Sequence, residues 1–343
     1  EITKAPEKAK QYFSTILGLK AGTSVVTLLL VFLIFQATDL PETTLHLLWI
    51  LSISLIFNTV SQTLWHYGDC FKEFAYHSFL WAASNIIKSL TGIALVLLYG
   101  ELELLIIGIV FAEALALILS LYVIRRRFGP FAPQFQFSVW WGFLSRSAPI
   151  GLGVIFSVLY FRLDIVMLQL MTDDRVVGFY SAAYKLFEIV IVLPHSLMIV
   201  LFPSLVEVFH TDREKFKIIL KKAFTVYFVV GSSIALIFFG FSNEIIGLIY
   251  GDNFLFSVKI LEILAIAIAL SFLIFLLSNV LIVSGWEMTN TWSLIGATIF
   301  NIALNLAWIP EHAGIGAAWA TVVCEITLIV ILGLQSRKAF KEP

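Results

Sequence analysis

Ten stretches of about 20 mostly apolar residues run through this chain of 343 residues, each long enough to cross a ~30 Å hydrocarbon core as a helix. Only 13% of the residues are charged, against about 25% in a soluble domain, and the mean hydropathy is +0.96. The sequence therefore predicts an all-α integral membrane protein. The ten spans are predicted near residues 16–36, 44–63, 77–99, 102–124, 148–171, 177–203, 224–242, 256–284, 288–308 and 313–335.

Basic residues in the connecting segments alternate from one side of the predicted membrane to the other. One side holds Lys4, Lys8, Lys10, Lys72, Arg125, Arg126, Arg127, Arg146, Arg213, Lys215, Lys217, Lys221, Lys222, Arg337, Lys338 and Lys341. The other side holds only Arg175 and Lys259. Because cytoplasmic loops of membrane proteins are enriched in Lys and Arg, both ends of the chain are predicted to lie in the cytoplasm.

Several classes of function are disfavoured by the composition. The net charge of −1 argues against nucleic acid as a partner. No nucleotide-binding loop of the form G-x-x-x-x-G-K-[ST] is present, and Cys70 and Cys324 lie too far apart for a disulfide framework. A membrane glycosyltransferase would need a large outer loop with clustered carboxylates or histidines, and no acidic-side loop reaches about 20 residues. No enzyme activity, cofactor or metal is predicted.

The spans fall into two groups. Residues 128–147 are rich in aromatic residues and proline and are predicted to form a cytoplasmic connector at the membrane interface. They separate four spans in 1–127, the remainder of an N-terminal lobe, from six spans in 148–343, a C-terminal lobe. The last pair of spans is similar in both groups, which suggests parallel repeats of six helices. Because the chain begins with Glu1, we expect its first two helices to be missing.

Charged residues interrupt five of the predicted spans at about the same depth, near the middle of the membrane. They are Lys88, Glu113, Arg162, Asp164, Lys185, Glu188 and Glu325. An unpaired charge at this depth costs several kcal/mol, so these side chains are expected to face a polar cavity or one another. A buried polar layer of this kind is typical of a protein that moves a solute across the membrane.

The spacing of these charges predicts some of their contacts. Lys88 and Glu113 are level with each other across one hairpin and are expected to pair, either as a lock or as part of a cavity lining. Lys185 and Glu188 are three residues apart and can pair on one helix face. The preceding span of the same hairpin, 148–171, carries Arg162 and Asp164, which are two residues apart and cannot neutralise each other well. At least one of these four charged residues is therefore expected to face a substrate or ion path.

Three further polar residues lie in the last two spans. Asn301 and Asn305 are four residues apart on one face, which indicates either hydrogen bonding between helices or a cavity lining. Glu325 has no basic partner in its own hairpin. It is therefore expected to be protonated, or to face a cavity or the other half of the protein.

The middle of the chain also carries a set of sequence motifs. Residues 161–168 read F-R-L-D-I-V-M-L, residues 177–186 read V-G-F-Y-S-A-A-Y-K-L, and residues 202–203 read F-P. Supporting motifs are F-L-x-x-S-x-P at 143–149, L-I-Y-G-x-x-F at 248–254, N-x-x-x-N at 301–305, I-P at 309–310 and G-I-G-A-A-x-A-T at 314–321. This combination resembles the bacterial and archaeal polysaccharide flippases of the multidrug/oligosaccharidyl-lipid/polysaccharide transporter superfamily.

The resemblance implies a MATE-like fold with two lobes of six helices (6+6) and alternating access across the cytoplasmic membrane of a bacterium or archaeon. It also implies a polyprenyl-pyrophosphate-linked oligosaccharide as cargo, flipped between leaflets for surface polysaccharide biosynthesis. Within that reading, Arg162, Lys185 and Lys88 are the candidates to attract the pyrophosphate. The candidates to bind a coupling cation or proton are Asp164, Glu188, Glu325 and Glu113. The alternative is an ion-coupled multidrug exporter of the same superfamily.

Overall fold

A computed structural model describes residues 9–36, 41–71 and 73–339, and these form a protein built from long helices. The helices are α1 (Ala9–Gln36), α2 (Glu42–Cys70), α3 (Phe74–Leu98), α4 (Leu102–Phe128), α5 (Phe137–Met171), α6 (Asp174–Thr211), α7 (Arg213–Gly240), α8 (Ser242–Tyr250), α9 (Phe256–Val283) and α10 (Glu287–Ala339). A short 3₁₀ turn at Asp252–Phe254 lies between α8 and α9.

The prediction of an all-α membrane protein with about ten spans is confirmed. Eight helices of the described part are long and apolar enough to cross a membrane, and the last of them, α10, contains two of the predicted spans. Its two halves meet at Ala313, whose φ of 48° and ψ of −129° are not helical. The remaining span, predicted at 148–171, lies within the 35 residues of α5.

Several helices extend beyond their predicted bounds. The predicted span at 148–171 begins at Phe137, eleven residues earlier, so part of the 128–147 connector is helical. The span at 177–203 continues to Thr211, and the next helix begins at Arg213 after a single residue, Asp212. Hydropathy detects only the part of a helix that matches the bilayer, whereas hydrogen bonding along the backbone continues into the aqueous phase.

The chain divides into two compact units, unit 1 (Glu1–Ala148) and unit 2 (Pro149–Pro343). In unit 1, α2 packs against α4, and α3 forms a hairpin with α4. The extended segment 129–136 lies on α1, where the backbone N–H of Gln134 donates to the Ser14 carbonyl at 2.8 Å. This close approach requires Gly18, because a Cβ there would lie 2.2 Å from the Gln134 oxygen.

Helix α9 is the centre of unit 2 and packs against α6, α7 and α10. Its Leu264, Ile268 and Phe272 side chains are fully buried, which fits the apolar character of the whole helix. Helix α7 approaches α9 at Gly231, where a Cβ would lie 2.9 Å from Phe272. Burial of this large apolar surface positions the polar side chains of α5, α6 and α10 that form the candidate site.

Candidate functional site

A buried carboxylate of α5 is the centre of a polar cluster inside unit 2. Asp164 is 3% exposed, and both of its oxygens accept hydrogen bonds from neighbouring helices. Asn305 donates to Oδ1 at 2.7 Å, and the hydroxyls of Thr321 and Tyr180 donate to Oδ2 at 2.7 and 3.0 Å. Asn305 also donates to the Oδ1 of Asn301 at 2.9 Å. The cluster therefore joins α5, α6 and both halves of α10 through oxygen-rich side chains.

A second carboxylate is buried in the same unit. Glu325 is 2% exposed and accepts a short hydrogen bond from Ser271 of α9. Its Oε2 and the Oδ1 of Asn305 are buried without a hydrogen-bond partner among the described residues. No basic side chain in the described part of the chain pairs with Glu325 or Asp164. Since an unneutralised charge costs several kcal/mol at this depth, these carboxyls need a proton or a bound cation.

The other charged residues of the α5–α6 hairpin form an ion-pair cluster. Arg162 lies 2.8 Å from Glu188, and Lys185 lies 3.1 Å from the other oxygen of the same carboxylate. The pairing of Lys185 with Glu188 that the spacing predicts is present. Two cations share one anion, so the cluster carries an excess charge of +1.

The two cationic side chains of this cluster are exposed, although they lie far from the ends of α5 and α6. The side chains of Arg162 and Lys185 are 52% and 61% exposed. Arg162 lies nine residues before the end of α5 at Met171, and Lys185 lies eleven residues after the start of α6 at Asp174. These separations correspond to about 14 and 17 Å along the helices. Because lipid tails cannot solvate such charges, this face of unit 2 is expected to border a polar space.

A cavity of about 360 Å³ lies beside the ion-pair cluster. Arg162 and Glu188 supply its charged wall, and the rest of the wall is apolar. The apolar lining residues are Val158, Phe161, Phe187, Ile191 and Phe275. A site with one charged and one hydrocarbon wall suits a ligand that has an anionic group attached to an apolar chain.

Unit 1 contains its own polar network. Lys88 of α3 lies 3.0 Å from Glu113 of α4, as the spacing predicts, and Asn58 of α2 donates to the same Glu113 oxygen at 3.1 Å. Gln62 in turn donates to Asn58. Lys88 also lines a cavity of about 400 Å³ together with amide, imidazole and indole side chains. The network therefore both ties three helices together and borders a cavity, so it fits both of the roles that the sequence leaves open.

Sequence reasoning locates the charged residues of these sites but misses several of their partners. Tyr180 and Thr321 belong to the motifs at 177–186 and 314–321, yet nothing in their spacing links them to Asp164. Ser271 and Asn58 are ordinary polar residues of membrane helices. The one sequence signal that could have identified Thr321 is its four-residue spacing from Glu325, which puts both residues on one helix face.

Comparisons with known proteins identify the family and the fold. Residues 1–209 match the family described as "Polysaccharide biosynthesis protein". No curated protein sequence matches the chain significantly.

Three solved structures are similar to the chain. The lipid II flippase MurJ in an inward closed conformation is 19% identical, with a TM-score of 0.77 over 97% of this chain and 75% of that one. A MOP superfamily transporter from Pyrococcus furiosus is 11% identical, with a TM-score of 0.69 over 98% and 79% of the two chains. A point mutant of the Vibrio cholerae MATE transporter VcmN is 12% identical, with a TM-score of 0.67 over 99% and 82%. At these identities the likeness establishes a shared fold.

Proposed function

Because the chain belongs to the polysaccharide biosynthesis protein family, we propose that it carries a polyprenyl-pyrophosphate-linked oligosaccharide from the cytoplasmic to the outer leaflet of the cytoplasmic membrane. A glycan head cannot cross the hydrocarbon core unaided, since its hydroxyls would lose water without replacement. The transport cycle is alternating access, with both ends of the chain in the cytoplasm.

The observation that carries this proposal is the exposed Arg162–Glu188–Lys185 cluster near mid-membrane depth. Its excess positive charge favours an anionic group such as a pyrophosphate, and Arg162 offers a planar fork of donors that matches phosphate oxygens. The apolar wall of the adjoining cavity suits the first isoprene units of the carrier lipid. Glu188 is better assigned to positioning the two cations than to cation coupling, because both of its oxygens are engaged by them.

We assign the coupling cation to the buried cluster around Asp164. The carboxylate is surrounded by hydroxyl and amide groups and lacks a basic partner in the described residues, which is the chemistry that holds Na⁺ or a proton inside a transporter. Glu325 is the second candidate, because it is also buried without a basic partner there. Glu113 is a weaker one, since Lys88 and Asn58 already engage it.

The test of the anion site is neutral substitution in cells that depend on the full-length protein. We expect Arg162→Gln and Lys185→Gln each to lower surface polysaccharide about tenfold or more, because a hydrogen bond to a charged group contributes about 1.5–3 kcal/mol. Lys259→Gln is the matched control, since Lys259 forms a similar pair with Glu262 at the start of α9. Normal polysaccharide in both variants would remove the anion-site proposal.

The multidrug-exporter alternative makes the opposite prediction about cargo. Lipophilic cations would be repelled by an excess charge of +1 beside the cavity. If loss of the protein sensitised cells to such cations while surface polysaccharide stayed normal, the exporter would replace the flippase as the proposed function.

A further inference from the structure

Two histidines and an aspartate meet at the turn between α2 and α3 in unit 1. His66 Nδ1 lies 3.0 Å from Asp69 Oδ2, and His77 Nδ1 lies 2.7 Å from the same oxygen. The two imidazole rings are close to perpendicular, with centroids 4.9 Å apart. The sequence does not predict this cluster, because His77 lies on a different helix from the other two residues.

The local structure brings the three side chains together at the ends of two helices. His66 and Asp69 are three residues apart on one face of α2, and His77 is in the first turn of α3. The turn is closed by hydrogen bonds from the N–H groups of Phe71 and Glu73 to the Gly68 carbonyl, at 3.0 and 3.1 Å. The three residues therefore lie close together at the end of α2 and the start of α3, where ligand binding would require little reorganisation of their side chains.

The donor set and its dimensions match a transition-metal site. One ligand atom from each residue lies within 4.8 Å of the other two. Two imidazoles and one carboxylate are ligands preferred by Zn²⁺, with metal–ligand bonds of about 2.0–2.2 Å. In a tetrahedral site such bonds place ligand atoms about 3.4 Å apart. The observed distances of 3.0 and 2.7 Å to Asp69 Oδ2 would need to open by only about 0.4 and 0.7 Å when the metal displaces the imidazole protons.

A second observation points independently to a ligand. Asp69 Oδ1 is buried and has no hydrogen-bond partner among the described residues. Leaving a carboxylate oxygen buried without a donor is costly, and a cation that both oxygens of Asp69 coordinate would remove that cost. His66, with a side chain 66% exposed, provides a route from solvent. The adjoining cavity of about 400 Å³, which both histidines line, leaves room for water in the remaining coordination positions.

From this geometry we propose that His66, Asp69 and His77 bind one divalent transition-metal ion of the zinc class and that the ion clamps the α2–α3 turn. The site differs from the Arg162–Glu188–Lys185 and Asp164 clusters, which lie in unit 2, and from the Lys88–Glu113 pair of unit 1, because it lies at a helix end and offers nitrogen ligands. Its existence does not depend on the proposed cargo. A metal that binds only the folded protein would stabilise it by an amount that rises with the logarithm of the free metal concentration above the dissociation constant.

Binding is tested with the purified full-length protein after removal of any polyhistidine tag and dialysis against a chelator. Calorimetric titration with Zn²⁺ and visible absorption with Co²⁺ are expected to show one equivalent bound, with a rise in the melting temperature. His66→Gln and His77→Gln are each expected to weaken Zn²⁺ binding by about 10–100-fold or more, because loss of a residue that only hydrogen-bonds to a metal ligand already has an effect of that size. His46→Gln, at the opposite end of α2, is the matched control and is expected to bind as the wild type does.

A measurement on the unmodified sequence keeps the test decisive if a variant fails to fold. Zn²⁺ is expected to protect His66 and His77, but not His46, from modification by diethylpyrocarbonate, as read by mass spectrometry. Absence of stoichiometric Zn²⁺ or Co²⁺ binding in the wild type would overturn the proposal. So would binding that both glutamine variants retain, or modification of His66 and His77 that is indifferent to the metal.

Discussion

Asp164 shows how one buried carboxylate can be stabilised in a membrane protein without a basic partner. Three donors from three other helical segments contact its two oxygens at 2.7–3.0 Å. Hydrogen bonds of this kind replace part of the hydration that the carboxylate loses, but they do not neutralise its charge. We infer that the remaining cost is met by the coupling cation.

Replacing Asp164 by asparagine is expected to keep the fold and abolish the response to the cation. Asparagine has nearly the same shape, and the hydroxyls of Thr321 and Tyr180 can accept as well as donate hydrogen bonds. In the wild type, the melting temperature is expected to rise with the concentration of Na⁺ at constant ionic strength, or with acidity if the cation is a proton. The variant is expected to lose that rise, whereas Asp174→Asn at the exposed start of α6 retains it. The same rise in both proteins would contradict the assignment.

Glu188 is expected to restrain the two cations beside it. In Glu188→Gln, the excess charge of the cluster increases from +1 to +2, so an isoprenyl pyrophosphate should bind more tightly. A partly exposed ion pair contributes up to about 1 kcal/mol, which corresponds to about fivefold in affinity. Calorimetric titration with geranyl pyrophosphate measures the change. Glu262→Gln, which breaks the comparable pair with Lys259, should leave the affinity unaltered.

The outcomes of that titration have different consequences. Tighter binding in Glu188→Gln alone supports an anion site at Arg162 and Lys185. Unchanged binding there would mean that the pyrophosphate does not contact this cluster, whereas weaker binding would mean that the positioning of the two cations by Glu188 outweighs its charge.

The helices themselves are more predictable than the contacts between them. Long apolar windows define the spans, because a segment in the bilayer must be apolar and must satisfy its backbone hydrogen bonds internally as a helix. The same windows cannot show where a helix ends in water. That end depends on local features such as Asp212, whose side chain accepts a hydrogen bond from the Lys215 N–H at the start of α7. The partners of Asp164 also could not be predicted from the sequence, because Thr321 lies 157 residues further along the chain.

Gly231 is expected to be necessary for the close packing of α7 against α9. A Cβ at this position would lie 2.9 Å from both Cβ and Cγ of Phe272. We expect Gly231→Ala to lower the free energy of unfolding by about 1–3 kcal/mol, the usual cost of overpacking a core. Gly240→Ala in the same helix meets nothing within 4 Å and should not destabilise the protein. Thermal unfolding in detergent compares the two, and equal melting temperatures would show that the helices can separate there at no cost.

The orientation of the whole chain is a prediction from its charge distribution alone. Sixteen of the eighteen Lys and Arg residues assigned to connecting segments fall on one side, which predicts that this side is cytoplasmic. In a background without Cys70 and Cys324, single cysteines at Glu101 and Asn253 should react with an impermeant thiol reagent added outside intact cells. Cysteines at Ala132 and Lys215 should react only after the membrane is opened. The reverse pattern would invert the predicted topology.

The family and the fold define the class of protein, whereas the cargo is inferred from one charged cluster. The most direct test is therefore transport by the purified full-length protein in liposomes that contain a labelled polyprenyl-pyrophosphate oligosaccharide. We predict that the wild type makes the glycan accessible to an impermeant glycosidase faster than protein-free liposomes do. The Arg162→Gln/Lys185→Gln double variant should lose this transfer, and Lys259→Gln should keep it. No transfer by the wild type, or wild-type transfer by the double variant, would contradict the account.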